Sequence, residues 1–165
     1  MAGRKLKGDD RDAIKGRSYR FGNRYRFALK LASRQTGKSE TAILEDAIQE
    51  IANSIVINKK HWLEFYDEED GVAALRLLAQ DEYRADLGDE EIRRFTAAYP
   101  QYFFADKEMK TPRRAYVKIL WPKLRQIMSV WRETRNEDPT AVTKEMVRLL
   151  KAGGEKELPA LHVVK

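Results

Sequence analysis

Few residues in this 165-residue chain have the chemistry to make or break bonds. There is no Cys, which removes thiolate nucleophiles, disulfides and Cys-based zinc sites together and fits a reducing cytoplasm. The two His, His61 and His162, stand alone, and no Ser/His/Asp arrangement can be argued around either. Glu64, Asp67, Glu68, Glu69 and Asp70 cluster near His61 but lack fixed ligand spacing, so they read as a solvated acidic face. Gly37-Lys38-Ser39 matches the end of a phosphate-binding loop, yet that loop needs a Gly five residues earlier, where Ala32 stands. No enzyme activity, cofactor or metal is expected. The chemistry that remains is ionic: 32 Lys/Arg against 26 Asp/Glu give a net charge of +6, a balance suited to a polyanionic partner.

The distribution of that charge is more informative than its sum. Residues 1–38 hold twelve Lys/Arg against three Asp/Glu. Residues 64–91 hold eleven Asp/Glu against two Lys/Arg, and residues 107–135 hold nine Lys/Arg against two Asp/Glu. The two basic segments are expected to share a face, with the acidic one elsewhere.

The elements that must position these charges follow from periodicity. A hydrophobic content of 42% is that of a globular chain, one large domain or two small ones. No apolar run approaches the ~20 residues of a membrane span. Residues 1–14 lack an apolar core and read as a flexible basic arm. Residues 17–21 alternate, with Tyr19 and Phe21 on one side, which predicts a short strand. Tyr25, Leu29 and Ala32 share one stripe of a helix over 24–36. Gly37 suits its left-handed C′ position, and Ser39 caps a second helix over 40–53, striped by Ala42, Ile43, Ala47, Ile48 and Ile51. Residues 54–110 form a helical connection. Within it Val72, Leu75, Leu78 and Ala79 mark a helix that Tyr83 and Leu87 extend, Gly88-Asp89 breaks it, and Tyr102-Phe103-Phe104 anchors a core. Trp62, Phe65, Tyr66, Trp121 and Trp131 are also expected in the core.

Over 111–153 the opening pattern returns. Residues 115–121 (AYVKILW) read as a strand, and Pro122 starts a helix striped by Leu124, Ile127, Met128 and Trp131. Asp138 caps a last helix striped by Val142, Met146, Leu149 and Leu150, and Gly153-Gly154 stops it. Residues 154–165 form a loose tail. The expected fold is mainly α, with strand–helix–turn–helix occurring twice.

Residues 17–53, and above all the phrase TGKSETAILEDAI, closely resemble the ribbon-helix-helix family of DNA-binding proteins, the Arc- and CopG-like group. AYVKILWPKL resembles the family's ribbon more weakly, and Asn136-Glu137-Asp138-Pro139 replaces the Gly-x-Ser turn there. The resemblance implies two short strands pairing into one antiparallel ribbon that enters the DNA major groove. With both units in one chain, it implies an intramolecular pseudo-dimer. Tandem single-chain versions are similar to plasmid-transfer (relaxosome) accessory proteins, so the implied role is repression of transcription or assistance to plasmid conjugation.

A two-stranded ribbon fits the major groove, where base edges are distinguishable. On the first ribbon Ser18 and Arg20 face outward as base-contact candidates; on the second, Tyr116 and Lys118. Lys38 with Ser39, and Thr140, flank free N–H groups at the second-helix starts, which suit phosphate. Arg24, Arg26, Arg34, Arg113 and Arg114 complete the phosphate-contact set, which gives affinity and salt dependence without sequence choice. The alternative is a homodimer formed through the first unit alone, with residues 54–165 a helical interaction domain for a second protein such as a toxin or relaxase. A helical scaffold with no nucleic-acid role is a third reading.

Overall fold

A computed structural model of the chain describes residues 20–138 and 140–159. The arm 1–14, the first ribbon's Ser18 and Tyr19, Pro139 and the tail beyond Pro159 lie outside the described residues. The described chain is mainly helical, with one small antiparallel sheet. It divides into two compact units, residues 1–50 and 51–165.

The first unit contains α1 (Asn23–Thr36) and most of α2 (Glu40–Asn53). Gly37 separates them at φ 69°, a left-handed conformation that glycine adopts without a Cβ clash, and its N–H donates to the Ser33 carbonyl at 2.9 Å. The Ser39 hydroxyl accepts from the Ala42 N–H at 3.1 Å, capping α2. No residue of either helix is buried.

The second unit opens with a hairpin, β1 (Val56–Ile57) paired to β2 (Lys60–His61), in register Val56 to His61. Asn58 and Lys59 both have positive φ, 49° and 63°, as a two-residue turn of this kind requires. Six helices follow: α3 (Asp70–Leu78), α4 (Leu87–Ala98), α5 (Pro100–Phe103), α6 (Arg114–Leu120), α7 (Leu124–Thr134) and α8 (Ala141–Ala152). One core joins them, including Leu75, Phe95, Tyr102, Phe103, Val117, Ile127, Met146 and Leu150. The aromatic anchor is therefore real, with Phe95 edge-on to Phe103 and Trp131. Phe65 is buried, Trp62, Trp121 and Trp131 are half-buried, and Tyr66 is exposed rather than in the core. Gly71 brings α3 close to α6: a Cβ there would stand 2.5 Å from Trp121 Cγ and 2.6 Å from Val117 Cγ1.

Three expectations are corrected. Residues 115–121 are not a strand. Tyr116, Val117 and Leu120 are buried on a helical stripe that continues through Leu124 and Ile127. Pro122 does not interrupt this stripe, because it sits in a short 3-10 turn, Trp121–Lys123, where a missing N–H costs nothing. The α3 helix stops at Leu78, short of Tyr83, and the next starts at Leu87 under the Asp86 cap, with Gly88 inside its first turn. Asp138 does not start α8 directly: its carboxylate takes the N–H and hydroxyl of Thr140 at 2.9 and 2.5 Å, and the helix begins after Thr140.

Candidate nucleic-acid interface

The two units differ in charge. Residues 1–50 carry twelve Lys/Arg against seven Asp/Glu, whereas residues 51–165 carry twenty against nineteen. Five of the six net positive charges thus belong to the first unit.

Among the described residues of that unit, 20–50, the cationic side chains are open to solvent. Arg20 is exposed and lies outside any strand, just before α1. Arg26, Lys30 and Arg34 recur every four residues on α1, so they share one face of it. All three are exposed, and among the described residues none forms an ion pair. Arg24 lies over the Tyr25 ring, 5.0 Å from its centroid, and donates to the Tyr25 hydroxyl at 3.2 Å. At the α1–α2 turn Lys38 Nζ reaches Asp46 at 2.6 Å, with both side chains more than half exposed. Such a pair is worth little in water and exchanges readily for another anion.

The same unit exposes apolar surface. Tyr25, Phe27, Leu31 and Ile48 are 59, 69, 48 and 66% exposed. Between the two helices runs an apolar groove of about 420 Å³, lined by residues such as Tyr25, Leu29, Ala32 and Ile43. Among the described residues of the unit, the stripes that form these helices therefore have little to pack on.

The site residues expected in the second half sit differently. Tyr116 is buried at 4% exposure, and its hydroxyl donates to the Glu157 carbonyl. It is not presented on a ribbon, and this corrects its assignment to base contact. Lys118 is exposed on α6, not on a strand, with Nζ 3.7 Å from Glu69. Arg114 holds both oxygens of Asp67 through Nη2, at 2.6 and 2.5 Å. Arg113 is half-buried and covers the Tyr116 ring at 4.8 Å. Thr140 is bound to Asp138. On the next helix pair, Arg132 holds Glu91 through two bonds of 2.6 Å. The acidic segment does not lie apart from the second basic segment; it is clasped to it. The unit is nearly neutral by composition, and these pairs also place its opposite charges side by side, so that little cationic surface is left unopposed around Arg114 and Arg132.

Electrostatics follow the same pairs. The Glu69 N–H, then the Arg114 and Arg76 guanidinium groups, hold the Asp67 carboxyl below its ordinary range against the opposing effect of burial. The Arg132 bond lowers Glu91 and raises Arg132 in turn. Among the described residues no group of three or more His, Asp or Glu could hold a metal ion, and no helix is long and apolar enough to cross a membrane. No protein-family model, no curated protein and no solved structure matches this chain.

Proposed function

We propose that residues 15–53 act as a ribbon-helix-helix unit that pairs with the same unit of a second chain and binds double-stranded DNA in the major groove. Residues 54–165 then serve as a helical interaction domain for a protein partner. The action is occupancy and positioning on DNA, as in repression or plasmid DNA transfer, without catalysis. The observation that carries this reading is the pairing of two properties in residues 1–50: surplus positive charge and an apolar helix face without a core. A second copy of α1 and α2 would cover that face. An intramolecular pairing of two ribbons is not favoured, because residues 114–120 are helical and Tyr116 is buried.

Anisotropy titrations on a duplex selected from a random pool test the reading. Arg20→Ala is expected to cost about 1–3 kcal/mol on the selected site and far less on random duplex. Equal loss on both would remove Arg20 from base contact, and no binding of either duplex at low salt would remove DNA as the partner.

A further inference from the structure

The second unit contains a polar pocket of its own. Its volume is about 440 Å³, within the range of small-molecule sites. Three cations from separate elements line it: Lys60 on β2, Arg76 on α3 and Lys110 in the α5–α6 loop. Glu64 and Glu108 line it as well, and buried Phe65 contributes apolar surface.

The walls are held in place. Arg76 donates to the Tyr66 carbonyl at 2.9 Å and pairs with Asp67 at 3.3 Å. Gln80 donates to the Arg76 carbonyl and accepts from the Asn58 side chain, both at 3.0 Å, and the Asn58 N–H is taken by Glu82 at 2.6 Å. On the other side Asp106 accepts the N–H groups of Lys110 and Thr111 at 2.9 and 2.6 Å. The three non-glycine residues with left-handed backbone among those described are Asn58, Lys59 and Met109. All three fall in the two loops that carry Lys60, Glu108 and Lys110 to the pocket. The hairpin turn itself requires it of Asn58 and Lys59, while at Met109 a side chain with a Cβ persists in that conformation only where the surroundings over-determine it. Lys60 and Lys110 are both exposed, and neither forms an ion pair among the described residues. Arg76 is already paired with Asp67, whereas Lys60 and Lys110 have no ion-pair partner among the described residues and stand open to an anion.

We infer that this pocket binds a small organic acid. Its carboxylate or phosphate sits with Lys60 and Lys110, and its hydroxyl or ammonium donors face Glu64 and Glu108. The test is a thermal-shift titration of the full chain, repeated by calorimetry, with citrate, L-glutamate, glucose 6-phosphate and inorganic phosphate up to about 10 mM. Citrate or glutamate reports a carboxylate ligand, and glucose 6-phosphate a phosphate ester. A saturable stabilisation is expected with at least one organic acid, exceeding that of inorganic phosphate. Lys60→Ala and Lys110→Ala should each weaken it roughly tenfold, the loss of one charge-assisted hydrogen bond. Lys107→Ala, an exposed neighbour that does not line the pocket, should leave it unchanged. No saturable effect with any organic acid, or an effect that survives in both pocket variants, would overturn the inference.

Discussion

Arg114 and Asp67 stand 47 residues apart in sequence and are joined by two hydrogen bonds from one guanidinium nitrogen, at 2.6 and 2.5 Å. Asp67 also accepts the Glu69 N–H at 3.0 Å and pairs with Arg76 at 3.3 Å. Its side chain is only 6% exposed, whereas that of Arg114 is 57% exposed. The pair fastens the loop before α3 to the start of α6. It commits Arg114 to the fold, so a cation that looks free in the sequence is engaged in the molecule.

The two basic segments should therefore respond differently to charge removal. Arg26→Ala and Arg34→Ala are each expected to reduce the slope of log affinity against log salt by about one, the release of one counterion. Arg114→Ala and Lys118→Ala are expected to leave the slope unchanged. Anisotropy titrations across a salt series check this, and a slope change on loss of Arg114 would return the second unit to the DNA surface.

Acid should loosen the second unit through Asp67. Its folded pKa lies below the ordinary value of 3.8, so its contribution is fully present above that value and is lost as pH falls through the folded pKa. Asp67→Asn should lower stability at neutral pH and make the melting temperature less sensitive to pH below about 4. Thermal melts of both chains from pH 7 downward measure it. Parallel curves would show that Asp67 is not a source of the acid response.

Two buried tyrosines make an internal contrast. Tyr102 is fully buried, its hydroxyl has no hydrogen-bond partner among the described residues, and burial pushes its pKa up to about 12. The Tyr116 hydroxyl donates to the Glu157 carbonyl. Tyr102→Phe should be neutral or stabilising, because it removes an unsatisfied polar group, while Tyr116→Phe should cost about 1 kcal/mol. Denaturant unfolding of both variants compares them directly.

Gly71→Ala should be felt strongly for its size. The added methyl meets Trp121 and Val117, both on rigid elements, and overpacking of this kind costs roughly 1–3 kcal/mol. Gly37→Ala lacks any steric neighbour but forces a Cβ into a left-handed backbone, so its cost, about 1 kcal/mol, arises from conformation alone. Chemical denaturation followed at the two units separates these effects.

Local signals in the sequence were sufficient where local physics decides. The α1–α2 turn, its Gly37 and its Ser39 cap are set by neighbouring residues, and both helices fall within one residue of their expected ends. The hairpin was hidden because its turn is Asn58-Lys59, where the strong signal would be Asn-Gly, and its strands are two residues each. The α6 segment was misread because a short apolar run fits a strand and a buried helix equally, and only the packing of Tyr116, Val117 and Leu120 decides. Of the expected contact residues, Arg20, Arg24, Arg26, Arg34 and Lys38 are solvent-exposed in the first unit. Arg114 was beyond reach because charge pairing across 47 residues leaves no trace in spacing.

The central claim is that the first unit pairs with its own copy and holds duplex DNA. Sedimentation velocity of the full chain, alone and with a labelled duplex at low salt, measures both parts. The expected result is a dimer of 19.2 kDa chains that moves with the duplex as two chains per DNA, and that falls apart when Phe27 and Ile48 are replaced by polar residues. A monomer that never travels with the duplex would contradict it.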